Sequence, residues 1–326
     1  MGSVINDISQ LKAPEKKKAK ERYFAGGGRI IKRFHKEWPL HLLILPAFIV
    51  TAIFSYGPMY GLIMAFQDFR PVHGFHGSPW VGLEHFRWLF SETAFVRTIY
   101  NTFFISLFKI ALTTVASIIF SLLLNEVRVA LCKRFFQTIV YIPHFISWII
   151  LAGVMQTILA SDGLLNGFLM GLGFDRMPFL TDPSIFPWTM IWSDVWKSFG
   201  FGTVVYLAAI TSIDPQIYES AVVDGAGKFR QVISITLPSI GPIIVLMLTL
   251  NMGNVLNAGF DQIFNLYSPI VYSTGDIIDT YLFRLGIQGG QFSIGAAVGL
   301  MRSVVAAVLM SISLFFAYKV ANYRIF

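Results

Sequence analysis

A polytopic, all-α membrane protein with six spanning helices is the fold class this sequence predicts, and three observations predict it. First, 55% of the 326 residues are hydrophobic and only 13% are charged, against roughly a quarter charged in soluble domains. Second, the apolar runs are continuous over about twenty residues, the length a helix needs to cross a bilayer, whereas a membrane barrel shows short alternating segments. Third, ten of the 25 Lys and Arg residues precede Trp38. That asymmetry orients the amino terminus toward the cytosol and accounts for much of the net charge of +7, so nucleic acid is not an expected partner. A single cysteine, Cys132, excludes an intrachain disulfide.

In chain order, residues 1–39 form a basic amino-terminal segment, followed by a transmembrane domain over 40–326. The apolar run starts only after Trp38, so no cleavable signal peptide fits. The segment is a solvated tail, or its 29–36 stretch is a helix lying on anionic headgroups. The six spans are placed at 40–66, 98–124, 135–159, 187–210, 240–258 and 296–317. The outer connections carry interfacial aromatics such as Trp80, Trp88 and Trp188. His73, His76 and His85 share the first of them without a cysteine or carboxylate cluster, and no metal site is expected. The last outer connection, 259–295, contains Asp261, Asp276, Asp279 and Arg284. Connections of that length tend to be functional, and this one is expected to face outward and receive a partner or a solute.

Three basic residues, Lys109, Lys197 and Arg302, fall inside apolar runs. Asp194 and Lys197, three residues apart, share one helical face. A charge at the bilayer centre costs a few kcal/mol, about 2.5 to 3.5 on insertion scales. The two therefore pair with each other, line an aqueous path, or snorkel at the outer interface, and Arg302 has the same choices. Asn251, Asn254 and Asn257 recur every three residues in the fifth span. Such amides either bond neighbouring helices or face a path for a hydroxyl-rich solute, since they both donate and accept.

Between the fourth and fifth spans lies a polar island at 214–242. Asp214 followed by Pro215 is a helix start, with an acid at the cap and proline at the first position. Ile217, Ala221, Val222, Phe229, Val232 and Ile233 recur at helical spacing, while Gln216, Glu219, Ser220 and Asp224 fall elsewhere. The expected object is a short helix along the membrane with an exposed acidic side, ended by Gly225 and Gly227. Pro238 and Pro242 mark the start of the next span. The stretch Gly225 to Lys228 is not a phosphate loop, because Val222 and Phe229 stand where that pattern needs Gly and Ser or Thr.

Glu219-Ser220-Ala221, Gly225 and Ile235-Thr236-Leu237-Pro238 reproduce the spacing of the cytoplasmic signature of permease subunits in binding-protein-dependent ABC importers. Asp224-Gly225-Ala226 resembles the sugar-importing branch, and WSDVWKSFGFG and LNMGNVLNAGFDQIFNL resemble its oligosaccharide permeases. Ser220 replaces the usual Ala with another small residue. The resemblance implies a type I importer permease fold in a bacterial plasma (inner) membrane. It also implies that Glu219, Ser220, Ala221, Asp224, Gly225, Ala226, Leu237 and Pro238 form an ATPase-coupling site at about 214–238. Implied partners are a second homologous permease, two ATPase subunits, an extracytoplasmic solute-binding protein and the lipid bilayer. The solute implied is an oligosaccharide, with acidic alginate or pectin fragments among the candidates. ATP and Mg would sit on partner subunits, so this chain carries no cofactor and no catalytic residue. The substrate path is assigned to Asn251, Asn254, Asn257, Asp194 and Lys197.

An ion-coupled secondary transporter is the alternative. It requires inverted repeats, and no convincing repeat is visible. An intramembrane enzyme requires a nucleophile with a base or metal, and the spans offer only scattered serines and His144.

Overall fold

The computed structural model describes residues 26–321, with side chains from 37 to 315. The chain divides into two compact units, Met1–Gly61 and Leu62–Phe326. In the first, α1 runs over Gly26–Thr51 through Pro39 and Pro46, so the basic 29–36 stretch is continuous with this helix. Most of the basic tail lies outside the described residues. A π turn at Ala52–Tyr56 and a 3-10 run at Gly57–Phe66 follow. The π turn ends two residues before Pro58, whose missing N–H suits such a local widening of the ladder.

The second unit contains α2 (Glu84–Ser91), α3 (Thr93–Glu126), α4 (Ala130–Phe145), α5 (Trp148–Ile158), α6 (Leu164–Gly171), α7 (Phe186–Thr211) and α8 (Pro215–Val223). It continues with α9 (Lys228–Met252), α10 (Phe260–Leu266), α11 (Ile278–Leu282) and α12 (Phe292–Ala321). Among the described residues, β pairing is confined to one bridge between Gln67 and Trp80. Among the described residues, four helices are long and apolar enough to cross a membrane, or five if the bent pair α4 and α5 is one span. The expected fourth span, 187–210, is α7, whose 26 residues have the length but include Asp194 and Lys197.

Helices α3 and α7 form the central pair, and small residues let them approach. Ser117 Oγ donates to Phe199 O at 2.9 Å. A Cβ on Gly202 would lie 2.5 Å from Ser117 Oγ, and one on Gly200 would lie 2.2 Å from Val140 O on α4. Around this pair, Ile105, Phe186, Met190, Ile191 and Ile263 make one buried cluster. Leu89, Phe95, Val255, Tyr281 and Val298 make a second.

Three expectations are corrected. The third span is not straight: α4 and α5 meet at 101°. Ile146 is extended and Ser147 caps α5 by accepting from Ile150 N, so the helix stops and restarts shortly after Pro143. The fifth span is displaced, running from Lys228 to Met252 instead of 240–258. Leu237 and Pro238 do not start it, because a π turn at Val232–Thr236 carries the helix past Pro238. The third correction concerns 259–295, which is a set of short helices packed into the core. Gln262, Ile263 and Thr280 are fully buried, and Asp276 is 3% exposed. Asp276 pairs with Arg284 at 2.5 Å, and Arg284 lies 4.2 Å from the Tyr272 ring centre. Arg302 does not snorkel: it pairs with Asp279. His85 Nε2 contacts Gln67 O at 3.0 Å.

Candidate functional site

Two sites emerge, one within the membrane and one on the polar island. The first is a cavity of about 220 Å³ at the meeting of α3, α7 and the end of α9. Helix α3 supplies Ser106, Lys109 and Thr113, whose spacing of three and four places them on one face. Helix α7 supplies Asp194 and Ser198, one turn apart. Asn251, Asn254 and Asn257 line the remaining side.

These three amides are not a helical stripe, because α9 ends at Met252. The chain continues in turns whose backbone bonds span three residues: Asn254 N donates to Asn251 O at 2.9 Å, and Asn257 N to Asn254 O at 2.8 Å. A repeat of three residues per turn brings every third side chain to the same side. The sequence spacing was thus a sound signal for a shared face, although the element differs.

The charges are arranged otherwise than their sequence spacing suggests. Asp194 forms its ion pair with Lys109 at 3.8 Å, not with Lys197. Lys197 is turned away from the cavity lining. It donates to His144 O at 2.9 Å and stands 5.4 Å from the Trp148 ring centre. Its charge thus caps the last turn of α4, where helix carbonyls carry partial negative charge, and it holds the elbow between α4 and α5.

Lys109 is the residue that sequence reasoning missed at this site. Its signal was the polar face of Ser106, Lys109 and Thr113 within an apolar helix. Lys109 Nζ donates to Ala258 O at 2.8 Å and to Gln262 Oε1. Gln262 is itself fixed by donating to Met190 O and Ser193 Oγ, both at 2.8 Å. Ser106 Oγ and Thr113 Oγ1 are buried without a partner among the described residues, although buried hydroxyls are normally satisfied. The cavity therefore presents amides, hydroxyls and one ion pair, an inventory of both hydrogen-bond donors and acceptors.

The second site is the island. Asp214 caps α8, its side chain accepting from Gln216 N at 3.0 Å. The helix turns at Gly225, where φ is +78°, and Ala226 N donates to Ala221 O at 2.8 Å. Gly227 is extended and precedes α9, so it begins the next helix and does not end the last. Glu219, Ser220 and Asp224 are exposed, while Ala221 and Ala226 are partly buried. The expected division into an acidic outer face and an apolar inner face is only half observed. Val222 is 60% exposed, Val223 88% and Phe229 79%, so apolar and acidic groups share the outer surface. Grouped exposure of this kind is what surfaces that meet another protein or a membrane show.

Polar contacts that the spacing did not reveal anchor the island. Tyr218 Oη lies 2.9 Å from Thr236 Oγ1, and Gln231 Nε2 donates to Ala226 O at 2.8 Å. Lys228 pairs with Glu126 at the end of α3 at 3.1 Å. A groove of about 230 Å³ between α3, α8 and α9 has Glu219, Tyr218 and Lys228 among its walls.

Comparison with known proteins gives this pair of sites a family. Residues 113–325 match the binding-protein-dependent transport system inner membrane component family, and the chain belongs to it. The polygalacturonan/rhamnogalacturonan transport system permease protein YteP of Bacillus subtilis (strain 168) is 40% identical over 87% of this chain and 89% of its own. Protein LplB of the same organism is 39% identical over 83% and 86%. Among solved structures, a bacterial ABC transporter involved in the import of the acidic polysaccharide alginate superposes with a TM-score of 0.83. The match has 40% identity and covers 90% of this chain and 99% of that one. The alginate transporter in complex with an alginate pentasaccharide-bound periplasmic protein gives the same score and identity, over 90% and 98%. The fold is therefore that of an ABC importer permease, a transport component and not an enzyme. Family membership also displaces the ion-coupled alternative.

Proposed function

We propose that this chain is one of two permease subunits of an importer for acidic oligosaccharides of the pectin or alginate fragment class. A solute-binding protein delivers the sugar on the outer side, and two ATPase subunits drive alternating access from the cytosol, where the amino terminus also lies. The observation that carries the reading is the cavity at the end of α9. Asn251, Asn254 and Asn257 face Asp194 and the unpartnered hydroxyls of Ser106 and Thr113 there. Amides and hydroxyls both donate and accept, so they exchange hydrogen bonds with a sugar passing in any of several orientations. The names of the relatives supply the acidic class.

On the cytosolic side, Glu219, Ser220, Ala221, Asp224, Gly225 and Ala226 form the docking helix and its bend, with Leu237 and Pro238 in the helix that carries motion to the cavity. Helix α9 joins the two sites without interruption: it starts two residues after Ala226 and ends one residue after Asn251. Movement of the docked island is transmitted along this continuous helix to the amides.

The test is uptake of labelled digalacturonate into vesicles holding the assembled complex. Uptake should require internal ATP and the binding protein and persist with an ionophore present. Uptake without ATP that an ionophore abolishes would contradict the reading.

A further inference from the structure

We infer that Lys109 recognises the carboxylate of a uronic acid unit in the membrane cavity, and that Asp194 is a resting counter-ion which the sugar carboxylate displaces. The inference rests on the acidic sugar class proposed above and assigns the residue that reads it.

Four observations carry it. An ammonium has three N–H donors, and two of those on Lys109 are taken by Ala258 O and Gln262 Oε1. Among the described residues the third has only Asp194 Oδ1, which at 3.8 Å is an ion-pair contact too long to be a hydrogen bond. A carboxylate that approaches through the cavity gains a charge-assisted bond that Asp194 does not make.

The cation is also held ready. Gln262 is clamped by Met190 O and Ser193 Oγ, which aims its carbonyl oxygen at Nζ. Gly259 adopts φ +94°, and a Cβ there would stand 3.0 Å from Nζ, so glycine lets the backbone close around the ammonium. Lys109 is 6% exposed and therefore cannot wander as a surface lysine does.

The third observation is the company it keeps. Ser106 and Thr113 flank Lys109 on α3 with unpartnered hydroxyls, and the three asparagines stand across the cavity. A uronate bound through its carboxylate to Lys109 would present its ring hydroxyls to these groups. The volume, about 220 Å³, suits one sugar ring at a time.

The fourth is the role left to Asp194. Its side chain is 22% exposed and lines the same cavity, so it can turn toward solvent when a second anion arrives. A residual like-charge repulsion keeps the bound sugar from being held too tightly, which a translocation site needs for release.

The complete importer, reconstituted with binding protein, is assayed for uptake of digalacturonate and of its uncharged methyl ester against the concentration of ligand-loaded binding protein. Lys109→Gln should lower acid uptake about tenfold more than ester uptake, the equivalent of 1.4 kcal/mol, so that the acid-to-ester ratio falls. Ester uptake also reports correct folding. Asp194→Asn should move selectivity in the opposite direction, with acid uptake half-saturating at lower concentration. Equal loss of both sugars in Lys109→Gln, or an unchanged ratio, overturns the inference. If the wild-type complex carries acid and ester equally, this inference fails and the acidic importer reading survives. If it carries neither, the substrate class fails and takes the inference with it.

Discussion

Lys109 and Asp194 come from separate helices, α3 and α7, and their charges meet 3.8 Å apart inside the membrane domain. Breaking a buried pair from one side is costly, about 3 to 5 kcal/mol when both ions are enclosed, and Asp194 is enclosed only in part. Lys109→Met should therefore lower thermal stability by an amount near the bottom of that range, and Asp194→Leu by less. The double variant should recover part of the loss, since no charge is then left alone. Thermal unfolding of the detergent-solubilised chain checks this; strict additivity would show that the pair does not interact.

Close packing of α3, α4 and α7 makes a contrasting pair of glycine predictions. A Cβ on Gly200 would be 2.2 Å from Val140 O, whereas one on Gly167 in α6 meets nothing within 4 Å. Gly200→Ala should destabilise by about 1 to 3 kcal/mol, the usual range for overpacking. Gly167→Ala should be neutral or stabilising by about 0.5 to 1 kcal/mol through helix propensity. Yield of folded protein after heating separates the two.

At the bend of the island, Gly225 stands at φ +78°, a region that costs an L-residue about 1 to 2 kcal/mol. Gly227, at φ −67°, carries no such requirement. Gly225→Ala should impair ATP-driven uptake, and Gly227→Ala should leave it close to wild type. Reversal of that order would remove the bend from the coupling account.

Tyr218 ties α8 to α9 through Thr236. Tyr218→Phe deletes one hydrogen bond, worth about 1 kcal/mol, and should loosen coupling so that more ATP is hydrolysed per sugar imported. Glu219→Lys reverses a charge on the exposed docking face and should have the larger effect, with membrane insertion intact. Hydrolysis and uptake measured on the same vesicles give the ratio directly.

How much of this was legible in the sequence follows from the range of the forces involved. The spans at α3, α7 and α12 were visible because apolar length is a local property. So were the Asp214-Pro215 cap and the Gly225 turn, which depend on one or two residues. The 101° elbow was not, because Pro143 alone is compatible with a straight or a broken span; Ile146, Ser147 and the distant Lys197 decide it. The helical nature of 259–295 was hidden by Asp276, Asp279 and Arg284, which read as solvent-exposed until their ion pairs, Asp279 with Arg302 among them, are seen. Lys109 was hidden for a similar reason: a lone charge in an apolar run declares nothing until Asp194, Gln262 and the asparagines are brought to it.

The central claim is that the amides at the end of α9 handle the sugar while the island couples ATP. Asn254→Leu tests it most directly, because the Asn254 side chain lines the cavity. With the complete complex in vesicles, the account predicts digalacturonate uptake reduced about tenfold or more while ATP hydrolysis stimulated by loaded binding protein is retained. Wild-type uptake in that variant would return the asparagines to a packing role and contradict the account.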